Sequence, residues 1–147
     1  MPIETKCSSI SGKISIGNPF YLSGDLVFFT PGPFEEVLKM KALNKPYTLQ
    51  RFRVYGSISV SISGWFATLN TVTATYLGRG GKEIGIGYTT TPLDGGRRME
   101  LSIDKYLDVH SELRGLGVQT IKVNVIVNWI GDVTATGNIC YDLTWVG

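Results

Sequence analysis

The side chains that could do chemistry in this chain are few, and His110 is the first of them. It is the single histidine among 147 residues, and catalytic triads and acid–base sites commonly use histidine. Asp108, Glu112 and nearby serines are its candidate partners, but none of these spacings is typical of a catalytic site. We therefore interpret His110 as a structural or exposed residue. A hydrolase is the third of three functional hypotheses.

The acidic residues and the cysteines form no pattern typical of a metal site or a glycosidase. A zinc site needs about four ligands, mostly Cys and His, and no Asp-x-Asp-x-Asp-Gly loop for calcium is present. Glu83, Glu100 and Glu112 are candidates for a catalytic carboxylate pair, but a solvated face explains them better. The sequence thus predicts a protein that is not an enzyme and that holds no metal and no cofactor.

The two cysteines, Cys7 and Cys140, lie near opposite ends of the chain. The preferred interpretation is two unpaired, partly buried thiols in a reducing compartment. The alternative is a disulfide between the terminal strands, which would close a very long loop and stabilise the fold by about 4–5 kcal/mol. Spacing alone leaves both interpretations open, because it carries no information on geometry.

Aromatic side chains are candidates for contact with a partner or a sugar. Trp65 follows a glycine and stands beside Phe66 at the end of a predicted strand. This position favours an exposed aromatic contact for Trp65. Trp129 and Trp145 continue apolar rows, so they are predicted to belong to the core.

The arginines occur in pairs that are further candidates for partner contact. The pairs are Arg51 with Arg53 and Arg97 with Arg98. Basic residues interleaved with aromatic ones can bind single-stranded nucleic acid. Here the alternation turns Phe52 away from Arg51 and Arg53, the net charge is only +2, and the first residues form no basic arm. Nucleic acid is therefore a disfavoured partner.

The composition indicates strands as the elements that must position these residues. The chain has 13 Ile and 12 Val but 4 Ala, together with 14 Thr and 18 Gly. Residues branched at Cβ suit a pleated, half-buried surface, whereas helices are usually rich in alanine. Alternation of apolar and polar residues places the strands; they are predicted near residues 9–16, 20–30, 47–64, 69–77, 83–90, 99–103, 118–130 and 139–145.

The same alternation assigns side chains to the core. Phe20 is predicted to face inward on the second strand, and Tyr88 to face inward on the fifth. Gly85 and Gly87 leave one face of that fifth strand bare, which favours a β-bulge or the close approach of another group.

Residues 33–43 are the one helix candidate. Pro33 suits a first helical turn, and the order of charges, acidic before basic, fits the helix dipole. About eight strands with short turns must bury one face against a second sheet. The prediction is an all-β fold, an antiparallel, jelly-roll-like β-sandwich forming a single domain over residues 1–147.

These observations favour a non-enzymatic structural or assembly protein, a jelly-roll component of a virion or similar shell. Its expected partners are copies of itself or other protein subunits. The alternative is a module that binds carbohydrate or another small ligand, with a glycan as its partner. We find no signal peptide and no transmembrane segment, so we expect synthesis in the cytoplasm, with the virion as the destination of a shell component.

Overall fold

The computed structural model describes residues 3–31, 48–78, 81–107 and 118–146. The predicted helix at 33–43 and His110 both lie outside the described residues. Within them, Asp94–Gly96 forms a single 3-10 turn, and eight strands account for most of the rest. The strands are β1 (Ile3–Ile16), β2 (Ser23–Pro31), β3 (Thr48–Ser63), β4 (Leu69–Leu77), β5 (Glu83–Thr89), β6 (Arg98–Leu107), β7 (Val118–Val127) and β8 (Gly131–Val146).

The strands form two four-stranded sheets. One has the order β1-β8-β3-β6 and the other β2-β7-β4-β5, and every pairing is antiparallel. Successive strands cross between the sheets except at the β4–β5 hairpin, and this is the strand order of a jelly roll. The predicted eight-stranded, jelly-roll-like sandwich is confirmed.

The core lies between the two sheets and is built from the apolar rows that alternation predicts. On β3, Val54, Ile58 and Val60 are fully buried, whereas Ser57 and Ser61 on the opposite face are exposed. Aromatic rings fill the centre of this core. Phe52 stacks on Tyr141 with ring centroids 5.8 Å apart and meets Tyr76 edge-on at 5.9 Å.

The fifth strand carries the β-bulge that its glycines favour. The register of β4 against β5 shifts between Ala74 and Thr75. As a result Ile86 is buried, while Tyr88 points outward and is exposed. The prediction that Tyr88 faces inward is wrong, because one extra residue reverses the alternation beyond it. Gly87 takes the inward place, where a Cβ would lie 3.2 Å from Leu101 of the facing sheet.

A disulfide joins Cys7 and Cys140 on the outer surface of the first sheet. The two residues are direct cross-strand partners, with Cα atoms 4.0 Å apart. The structure therefore differs from the unpaired thiols preferred on sequence grounds. The physical reason is the β1–β8 register, which places these two residues opposite each other although 133 positions separate them.

Candidate functional site

Four connections meet at one end of the sandwich, which we call the loop end. They are residues 17–22 after β1, 64–68 after β3, 90–97 after β5 and 128–130 after β7. The pairings require this grouping, because the end of β1, the end of β3 and the start of β8 lie side by side. The second sheet contributes the start of β2, which pairs with the end of β7.

Large aromatic side chains project from this loop end. Trp65 is 79% exposed, Phe66 77% and Phe20 89%, and Tyr21 and Trp129 are exposed as well. The predicted core positions of Phe20 and Trp129 are wrong. Both residues lie outside the strands, since β2 begins at Ser23 and β7 ends at Val127. Such a concentration of exposed rings is uncommon on a monomeric protein surface.

The turn between β3 and β4 holds Trp65 and Phe66 outward. Phe66 has φ 61°, a left-handed conformation that costs energy for a bulky residue. Hydrogen bonds hold the turn from two sides: the Arg97 guanidinium donates to the Gly64 carbonyl at 2.7 Å, and the Asn128 side chain accepts from the Thr68 N–H. The two rings meet edge-on, with centroids 5.8 Å apart. The hydrogen-bonded turn thus holds two aromatic side chains in exposed positions.

Two glycines let the neighbouring connection approach this turn closely. Gly64 has φ 149°, and a Cβ on it would lie 3.0 Å from the Cα of Gly131. A Cβ on Gly131 would lie 2.6 Å from the Ser63 carbonyl oxygen, closer than side chains tolerate. These glycines bring Trp65 and Trp129 to the walls of one cleft.

The cleft has aromatic and polar sides, and we call it the Trp65–Trp129 cleft. Its volume is about 350 Å³. Asp132 lies on it between Ser15 and Ser63, which are its cross-strand partners on β1 and β3. The Ser15 hydroxyl donates to Asp132 Oδ1 at 2.7 Å. Asp132 also faces the Lys13 ammonium at 3.8 Å and remains about half exposed, so its carboxylate can accept further hydrogen bonds.

The predicted arginine pairs lie in two different places. Arg97 lines a second depression at the loop end with Trp65 and Phe66, and Arg98 starts β6 opposite Ser61. Arg51 and Arg53 lie toward the other end of β3, on the outer face of the first sheet. The structure therefore brings Arg97 together with the predicted aromatic contacts and keeps Arg51 and Arg53 apart from them.

Arg53 is held by charges and rings on neighbouring strands. Its guanidinium donates to both carboxylate oxygens of Asp104, at 2.7 and 2.9 Å, and lies 4.2 Å from the centre of the Tyr55 ring. This hydrogen bonding raises the pKa of Arg53 and lowers the pKa of Asp104. Arg51 lies over the Tyr106 ring at 5.2 Å. Through its bidentate hydrogen bonds with Asp104, Arg53 stabilises the contact between β3 and β6.

A second uncovered apolar surface lies on the outside of the other sheet, and we call it the β2–β7 face. Its members are exposed apolar side chains on these two adjacent strands: Val27, Phe29, Val118 and Ile126. Phe29 is 71% exposed. Polar side chains divide this face: Lys122, paired with Glu83, is the cross-strand partner of Val27, and Asp25 with Asn124 lies between Val27 and Ile126.

Within the described residues, no three His, Cys, Asp or Glu side chains come together in a metal-binding arrangement. In the same part of the chain, no helix has the length and apolar character needed to cross a membrane.

Comparisons with known proteins find a likeness among solved structures only. No protein-family model matches the chain, and no curated protein matches it. A structure of the infectious bursal disease virus Gx strain is similar, at 9% identity and a TM-score of 0.49, over 94% of this chain and 32% of that one. The VP2 subviral particle of infectious bursal disease virus is similar at 9% identity and a TM-score of 0.45, over 97% and 38%. This chain thus spans about a third of the length of the virus proteins that it matches.

Sequence reasoning singled out Trp65 and missed Trp129 and Asp132 as members of the same cleft. Trp129 continues the apolar alternation of β7 beyond Val127, its last residue, so the pattern does not show where the strand ends. The available signal was Gly131 followed by Asp132, a turn pattern that begins two residues after Trp129.

Proposed function

We propose that this protein is a non-enzymatic assembly subunit, a jelly-roll component of a virion or similar shell. Jelly-roll sandwiches occur in viral capsids, lectins and cupins, so the topology admits several functions. The observation that carries the proposal is the β2–β7 face, a set of exposed apolar side chains on two paired strands.

The packed interior of the sandwich argues against a ligand site between the two sheets. Phe52, Tyr76 and Tyr141 are fully buried at the centre of the core, and the Phe52 ring contacts both tyrosine rings. A ligand between the sheets would have to displace these rings, which is costly in a close-packed interior. Binding therefore has to use the outer surfaces of the domain.

The β2–β7 face suits contact with another copy or another subunit. Val27 and Phe29 lie on β2, an edge strand of its sheet, and Val118 on β7 pairs with the last residue of that strand. Burial of apolar area is the main source of association free energy, at about 25 cal/mol for each Å² removed from water. Among the described strands β2 has a neighbour on one side only, so its other edge can pair with a strand of a partner.

The test is the size of the particle in solution. Light scattering after size-exclusion chromatography, with negative-stain electron microscopy of the largest species, measures assembly of the wild type across concentrations. We expect oligomers that grow with concentration, and a shift toward monomer in Phe29→Ser. Phe20→Ser is the matched control, since it removes an even more exposed ring at the loop end and should leave assembly unchanged. A wild type that stays monomeric at high concentration would contradict the proposal.

A further inference from the structure

The Trp65–Trp129 cleft is not used by the assembly proposal, yet it has the make-up of a binding site. Small-ligand sites are concave, largely apolar and aromatic, with a few polar groups that converge on the ligand. Here two tryptophans share the cleft with Asp132, Ser15 and Ser63. The cleft is open and lies on the surface, so a ligand can enter without displacing the core.

We propose that this cleft binds a neutral carbohydrate, with one pyranose ring packed against Trp65 or Trp129. A pyranose has an apolar face of C–H groups, which suits an indole surface, and a rim of hydroxyl groups, which donate and accept hydrogen bonds. Asp132 would accept from ring hydroxyls, because a carboxylate has about four acceptor positions and Ser15 takes one of them.

Charge decides between a neutral and an anionic ligand. Asp132 is the only charged residue that lines the cleft in the described structure, and it is negative. Lys13 lies 3.8 Å from this carboxylate as its ion-pair partner, and the Arg97 guanidinium lines the adjoining depression and donates to the Gly64 carbonyl. A phosphate or an acidic sugar would meet repulsion there, whereas a neutral sugar would gain charge-assisted hydrogen bonds.

The Asp132 carboxylate also favours a sugar over a lipid surface as the ligand. The loop end carries exposed aromatic rings, and such rings can enter the interfacial region of a bilayer. Insertion of the cleft, however, would take the Asp132 carboxylate out of water, which is costly. A bound sugar keeps that carboxylate hydrogen-bonded.

Contacts within the protein hold the cleft in place. Gly64 and Gly131 bring its two sides together, and Arg97 and Asn128 hold the turn that carries Trp65. A preformed site avoids the cost of ordering loops on binding.

The experiment is a printed array of neutral and acidic oligosaccharides, followed by an NMR titration of the full chain with the best-retained neutral sugar. We expect retention of neutral glycans. Trp129→Ala and Asp132→Asn should each weaken the titrated affinity at least about tenfold, which corresponds to about 1.4 kcal/mol. Phe20→Ala is the control and should bind as the wild type does, because Phe20 does not line the cleft. Thermal unfolding of each variant checks that the fold is retained.

Three results would overturn the inference. The first is an array on which no neutral glycan is retained. The second is an affinity that stays unchanged in both Trp129→Ala and Asp132→Asn. The third is binding to phosphatidylcholine vesicles that Phe20→Ala and Trp129→Ala weaken equally, which would identify a lipid surface as the ligand. Assembly is tested through Phe29 on another surface, so the two proposals can fail separately.

Discussion

Breaking the Cys7–Cys140 bond should have a large effect on stability. The bond links positions 133 residues apart, so it removes a great deal of freedom from the unfolded chain. In the chain-entropy model a loop of this length contributes about 5 kcal/mol at 25 °C. Total stabilities of single domains are about 5–15 kcal/mol. Loss of the bond would therefore remove a third or more of the stability, although native contacts of β1 with β8 remain.

The assay is guanidinium unfolding followed by far-UV circular dichroism. It compares the oxidised wild type, the wild type with reductant, and the double variant Cys7→Ser/Cys140→Ser. We expect the reduced protein and the double variant to lose about 4–5 kcal/mol of unfolding free energy. Cys7 is exposed, so reductant should act on the folded protein, and it should leave the double variant unchanged.

Two results would refute this reasoning. Free thiols detected by mass spectrometry in the unreduced protein would show that the pairing itself is wrong. Equal unfolding midpoints for the double variant and a wild type with a verified bond would show that closing the long loop contributes no stability.

Three further predictions concern the core, the cleft and a buried tyrosine. Phe52→Ala should lower the unfolding free energy by about 3–5 kcal/mol, and Phe29→Ala, which trims an exposed ring, should change it little; denaturant titration measures both. Gly131→Ala should destabilise by about 1–3 kcal/mol because its Cβ would meet the Ser63 carbonyl, whereas Gly85→Ala has open space around its Cβ; thermal unfolding that ranks the two equally would contradict the packing argument. Burial raises the pKa of Tyr141 to about 12. The unfolded state then loses this proton near pH 10 while the folded state keeps it, so stability should fall between about pH 10 and 12, and Tyr141→Phe should make that fall shallower in unfolding measured against pH.

Much of the fold could be predicted because its pattern is local. Side chains alternate between the two faces of a strand, so the row Val54, Ile58, Val60 and the opposing serines identify the core face of β3 without any knowledge of its neighbours. The same pattern holds on β4, where Val72, Ala74 and Tyr76 alternate with threonines and are fully buried. Eight such strands with short turns leave few architectures, and the jelly-roll-like sandwich is one of them.

The errors lie where alternation stops or is interrupted. Phe20 and Trp129 continue an apolar row past the end of a strand, where the chain has already turned into a connection. Tyr88 follows a bulge, and one extra residue reverses every assignment after it. In each case the deciding quantity is the hydrogen-bond register with a neighbouring strand, which the sequence of one strand does not contain.

The candidate site, like the fold, could be predicted from the sequence only in part. Trp65 could be singled out by its glycine and its place at a strand end, because those are properties of neighbouring residues. Its place in one cleft with Trp129 and Asp132 could not be predicted. More than sixty residues separate Trp65 from them, and only the jelly-roll crossings place their connections at one end. The pairing of Cys7 with Cys140 depends in the same way on the β1–β8 register. The sequence by itself determined which faces of the strands are apolar, because that pattern repeats every second residue. The tertiary structure decided which distant residues meet, because those contacts depend on strand order and register.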